Sequence, residues 1–150
     1  RVTSAQMDRW CRDFDNWAVC DTACFVLFDR TPHAWAKASE WRGAKNEFQK
    51  RAAFAMIACL GVHDKVASDQ QFLDALVWIE EAALADERHF VQKGISWALR
   101  VAGRRNAALN KAVIAVSARL AECDNAAVKA TAKEVLRELK GAVVTRKLKG

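Results

Sequence analysis

Residues 15–21 read DNWAVCD, and the pairing of an indole with a carboxylate one helical turn later sets a chemical problem. The segment they open, roughly 16–29, has ten apolar residues in fourteen, yet Asp21 stands in its middle. A carboxylate in such surroundings costs stability unless a charged or polar group meets it. Carboxylates and indole faces also share an attraction to positive charge. Two kinds of cation fit: an internal partner, with Arg51 and Arg12 as candidates, or a cationic centre on a ligand.

A second constellation lies further along. Lys93, Trp97, Arg100 and Arg104 are spaced by 4, 3 and 4 residues, which is one stripe of an α-helix. Lys129, Lys133 and Lys140 repeat a basic stripe, and TRKLKG (145–150) continues it. Residues 1–88 carry 11 Lys/Arg against 14 Asp/Glu, whereas residues 89–150 carry 13 against 4. The second block is therefore the one suited to a polyanion. Cations that neutralise phosphates and an indole that offers a flat face to a base or sugar are the chemistry of a nucleic-acid surface. The competing reading packs Trp97 in the core and leaves the charges solvated.

Other chemistry-bearing residues have plainer explanations. Cys20 and Cys24 share a helical face without a nearby His pair, so they read as core rather than zinc ligands. His63 and Asp64 fall in GVHDKVASD, a loop without a nucleophile at fixed spacing, and read as loop capping. His33 and His89 carry no assigned role, and Trp10, Trp35, Trp41 and Trp78 read as packing residues. No glycine-rich phosphate loop occurs, which argues against a nucleotide-driven enzyme.

The elements that must position these residues are all helices. There is a single Pro, no Tyr and no sustained alternation of β-branched residues. The pattern predicts helices at about 4–14, 16–29, 33–42, 45–60, 69–85, 87–102, 106–122 and 125–140. Thr31-Pro32, Ser68 and Asp124 read as helix starts, and Gly61, Gly103 and Gly141 as stops. A shift of 42 lays FQKRAAFAMIACLG (48–61) on FVQKGISWALRVAG (90–103), bringing Phe48 onto Phe90, Arg51 onto Lys93 and Gly61 onto Gly103; AVKATAKEVLRELKG (127–141) is a weaker third copy. Helix pairs repeating near 40 residues predict an all-α, HEAT-like α-solenoid, one domain over 1–150. Five unpaired-looking cysteines point to a reducing, cytoplasmic setting, and no apolar run is long enough for a membrane span.

Taken in order, DNWAVCDTACFVLF, FQKRAAFAM and VQKGISWALRVAGRRN resemble the HEAT-like-repeat DNA alkylation repair glycosylases, the AlkD-like family. The resemblance runs over essentially the whole chain. It implies excision of cationic 3-alkyladenine and 7-alkylguanine from duplex DNA by hydrolysis of the N-glycosidic bond, by a monofunctional enzyme with no metal or nucleotide cofactor and no obligate protein partner. It makes Trp17, Asp21 and Trp97 the catalytic pocket and Arg51 a DNA-contacting neighbour; the stripes add Lys93, Arg100, Arg104, Lys129 and Lys133 as DNA-binding residues. Asp21 would face the cationic sugar and position the attacking water. Family members usually carry two to three further helices ahead of the Trp17 helix, so the chain is expected to lack part of the DNA-cradling wall. The alternative is a non-catalytic HEAT-repeat module that binds DNA or a protein partner.

Overall fold

The computed structural model describes residues 2–149. Among these, the chain forms α1 (Ser4–Arg12), α2 (Trp17–Val26), a 3-10 turn (Phe28–Arg30), α3 (Ala34–Trp41), α4 (Glu47–His63), α5 (Asp69–Ala85), α6 (His89–Gly103), α7 (Ala107–Ala121), α8 (Ala126–Leu139) and α9 (Ala142–Lys149), with no strand. No helix among them is long and apolar enough to cross a membrane.

Side-chain caps set most helix starts. Ser68 and Gln71 form a reciprocal capping box at α5, as Thr3 and Gln6 do at α1. Asn16, Asn46, Asn106 and Asn125 cap α2, α4, α7 and α8 through their Oδ1 atoms. Several details differ from the sequence expectation. The cap of α8 is Asn125 rather than Asp124. Thr31 does not start α3; its hydroxyl donates to the Phe28 carbonyl at 2.8 Å, closing the preceding turn, and α3 begins at Ala34 without a side-chain cap. That turn breaks the expected 16–29 helix because Phe28 is drawn fully inward, against the rings of Trp10, Phe14 and Trp41. Finally, Gly141 separates α8 from a ninth helix, α9, which carries the basic tail.

α2, α4, α6 and α8 lie side by side in that order; α3 packs on α4, α5 on α6 and α7, and α7 on α8. Flanked in this way, α4 is buried at every residue from 51 to 61. Gly61 lies inside α4 rather than ending it, and the reason is close approach. A Cβ there would sit 2.4 Å from Val101 Cγ1 on α6. The repeat-equivalent Gly103 stands in the same relation to α8, with Leu139 Cδ1 at 2.4 Å from its would-be Cβ. Phe48 and Phe90, also equivalent, touch each other across α4 and α6 with ring centroids 5.2 Å apart.

Cys11, Cys20, Cys24 and Cys59 are buried free thiols in this interior. The Sγ of Cys20 and of Cys24 donate to the Phe48 and Ala52 carbonyls of α4. Burial pushes the thiols of Cys11 and Cys59 well up; that of Cys24 is raised by its hydrogen bond with Cys20 and by burial. All four are packing groups, and Cys11, Cys24 and Cys59 are held in the unreactive thiol form.

Candidate functional site

The carboxylate that opened the argument meets Arg51. Asn16 accepts from the Val19 N–H and so starts α2 at Trp17, which points Asp21, one turn on, toward α4. Arg51 stands in the second turn of α4. Its Nε donates to Asp21 Oδ1 at 2.9 Å and its Nη2 to Oδ2 at 2.7 Å, a two-pronged pair between side chains 9% and 19% exposed. Nη1 donates to the Phe90 carbonyl of α6 at 2.9 Å. A Cβ at Gly94 would lie 3.2 Å from Arg51 Cγ, so glycine leaves room on α6 for the arginine stem. One guanidinium therefore ties α2, α4 and α6 together. Of the two internal partners the sequence offered, this is Arg51; Arg12 lies exposed at the end of α1.

The pair does not exhaust the carboxylate. Each oxygen accepts one bond from Arg51, and an ionised carboxylate has about four acceptor positions. One turn before it, the Trp17 side chain is 51% exposed. Such an indole serves the fold little and is free to stack on a ligand. Trp97 differs: it is half-buried and packs on the core from α6, three residues beyond Gly94. One portion of the indole packs and another faces solvent.

The α6 stripe is shared with α8. Lys93 Nζ lies 3.2 Å from Glu134, Arg100 lies 3.8 Å from Glu134 and 3.5 Å from Glu138, and Arg104 pairs with Glu138. The result is a ladder of alternating sign along the α6–α8 seam. Arg100 Nε is further held by the Ser96 hydroxyl at 3.2 Å. Lys129 and Lys133 stand apart from this ladder on α8, half-buried and exposed respectively, and neither makes an ion pair among the described residues.

Residues 2–141 match the family model of DNA alkylation repair enzymes. The chain belongs to that family. No curated protein and no solved structure matches it.

Several residues of this DNA alkylation repair family member escaped the sequence reading. Glu134 and Glu138 are two of only four acids in residues 89–150, one turn apart, and that contrast was the available signal. Arg105, beside the stripe, is a structural cation: its Nη1 donates to the Gly61 and Asp64 carbonyls and its guanidinium lies 4.4 Å over the Phe72 ring, fastening the α4–α5 loop. His63 is the last residue of α4 rather than a loop residue, and its Nδ1 meets the fully buried Asp29 carboxylate. Asp64 accepts from the Trp35 indole N–H. Asp86, between α5 and α6, is gripped by Arg88 and Lys50, and the Arg88 bond foremost holds its carboxyl well below the usual range. Among the described residues no group of three or more His, Cys, Asp and Glu side chains gathers as a metal site.

Proposed function

We propose that this chain is a monofunctional DNA glycosylase that removes cationic alkylpurines, 3-alkyladenine and 7-alkylguanine, from duplex DNA, on a HEAT-like stack of helix pairs. The observation that carries the reading is the exposed Trp17 one turn from a carboxylate that Arg51 orients but does not enclose. The repeat is supported by the spacing of polar contacts between helices. Arg51 to Phe90, Gln92 to Thr131, Lys93 to Glu134 and Glu80 to Arg119 all span 39 to 41 residues.

Alkylation leaves the purine positively charged. As its bond to the sugar C1′ breaks, the bonding electrons go to the base, which departs neutral, and the sugar becomes oxocarbenium-like. Water oxygen then bonds to C1′ and its proton passes to solvent. No general acid is needed, because the leaving group is already activated. What helps is negative charge and aromatic faces at the sugar. Asp21 supplies the charge and can hold the water, while Trp17 and the open part of Trp97 supply the faces. Two unit charges about 4 Å apart interact by roughly 4 kcal/mol at an effective dielectric near 20. Arg51 offsets part of that, which shifts weight from bare electrostatics to the carboxylate's role in orienting water. Stacking at an open surface suits a lesion whose own charge weakens the bond, and does not require the base to be enclosed in a pocket as many base-modifying enzymes do.

The same Asp21–Arg51 pair favours the second reading, a family member that binds DNA without excision, because a carboxylate paired this well already has a structural use. Release of 7-methylguanine from methylated duplex DNA by the purified protein separates the two. Release supports the glycosylase; salt-sensitive duplex binding without release assigns the non-catalytic module.

A further inference from the structure

The cations of α6 are not bare. Five side chains form one run along the seam with α8, in the order Lys93, Glu134, Arg100, Glu138, Arg104, and their exposures of 52%, 35%, 28%, 32% and 41% leave all of them open to solvent. Ion pairs this open contribute little to folding. The acids therefore have no large structural task, although they stand in a block where basic residues outnumber acidic ones by 13 to 4. Their oxygens offer guanidinium and ammonium groups the same kind of acceptor that a phosphate does. Glu134 and Glu138 are also one turn apart on α8, so both project toward α6 at once.

We propose that Glu134 and Glu138 occupy the places taken by backbone phosphates when duplex DNA lies on α6, so that binding exchanges two internal carboxylates for external phosphates on Lys93, Arg100 and Arg104. This rests on the reading that α6 faces DNA. The exchange has two consequences. Before DNA arrives, the carboxylates hold the arginines extended along the seam, with Arg100 also fixed by Ser96. Once it arrives, they compete with phosphate and keep the grip on undamaged duplex weak, which favours release and continued search.

The sign of a charge-removing variant decides the matter. Glu134→Gln/Glu138→Gln keeps the outline and hydrogen-bonding reach of both side chains but removes two negative charges. Binding of a fluorescein-labelled undamaged duplex is titrated from about 50 to 200 mM salt for the parent, this double variant and a Lys93→Ala/Arg100→Ala/Arg104→Ala variant, with melting curves for all three. The exchange predicts that the double Gln variant binds about tenfold more tightly at the low-salt end, that its dependence of log K on log salt steepens by about one or more, and that its melt is unchanged. Equal or weaker binding by the folded double variant overturns the exchange, weaker binding marking the acids as supports for the arginines. A triple Ala variant that binds like the parent, or a parent with no salt-dependent binding, instead overturns the DNA reading of α6, and the exchange with it.

Discussion

A shift of 42 residues lays Arg51 on Lys93, yet the two cations sit in opposite surroundings. Arg51 turns back to α2, closes on Asp21 in a two-pronged bond largely shut off from water, and sends its third nitrogen to the α6 backbone. Lys93 turns forward to α8 and meets Glu134 in the open, with more than half its side chain exposed. A pair removed from water is held by short-range geometry, and loss of one partner strands a charge in a poor solvent. An open pair is screened and costs little to break, but its field reaches an approaching polyanion. Under the proposed function, this one helical position would serve orientation at the α2–α4 junction and long-range attraction at the α6–α8 junction. Variants that move charge between these environments test whether the division is real.

The largest effect is expected at Asp21. Asp21→Asn keeps size but removes the charge that would face the sugar, and the rate of 7-methylguanine release in a single turnover should fall by about two to three decades, the equivalent of roughly 3–4 kcal/mol. The Arg51 pair adds a second cost: the melt should also fall, because a buried guanidinium loses its counter-charge. Rate per folded molecule separates the two. If the folded fraction cleaves at the parental rate, Asp21 is a structural acid and the catalytic assignment fails.

That double expectation marks what could be read from sequence. The Trp17–Asp21 spacing, the apolar helix around it and the pair of candidate partners, Arg51 and Arg12, follow from period and composition, because they depend on single helices and a short list of cations. Helix starts at Ser68 and stops near Gly103 were legible for the same reason. How Asp21 uses Arg51, and how Glu134 meets Lys93, depends on the rotation of one helix against another some 30 to 41 residues away, which periodicity does not carry. Gly61 was misread as a stop because a glycine needed for close approach and one needed for a cap look alike in sequence. α9 was missed because its basic residues read as a tail after Gly141.

Next in size is the guanidinium itself. Arg51→Met replaces the arginine stem with an apolar one and leaves Asp21 without its cation, so stability measured by urea unfolding should fall by about 3 kcal/mol. The repeat-equivalent Lys93→Met should change it by less than about 1 kcal/mol. Equal losses would erase the distinction between the two junctions.

The junctions should look alike in their packing even while they differ in charge. Gly61→Ala forces a methyl to 2.4 Å from Val101 Cγ1, and a β-branched neighbour has few rotamers in which to retreat. Gly103→Ala meets the mobile end of Leu139 at the same distance, with Cδ2 at 2.9 Å as well. Overpacking costs about 1–3 kcal/mol, offset in part by the roughly 1 kcal/mol that Ala gains over Gly in a helix. Both variants should therefore lower the urea midpoint, Gly61→Ala by more. A gain in stability at either site would show that the helices do not approach so closely.

The smallest effect is the most diagnostic of the open ladder. Arg104→Gln removes a charge that sits 41% exposed opposite Glu138, itself 32% exposed. At about 0.05 M salt the loss of stability should stay under roughly 1 kcal/mol. At about 1 M salt, where the screening length shrinks to ~3 Å, the difference from the parent should vanish. The Arg51→Met loss should survive the same change, because the guanidinium is buried against its carboxylate and salt reaches the contact between them poorly. Urea unfolding of both variants at the two salt concentrations gives four numbers, and the comparison stands only if salt erases the Arg104 difference and spares the Arg51 one. A loss at Arg104 that persists in high salt would mean that Glu138 holds α6 to α8 structurally. The acids of the ladder would then be part of the fold, and their displacement by phosphate would carry a cost that the exposed geometry gives no reason to expect.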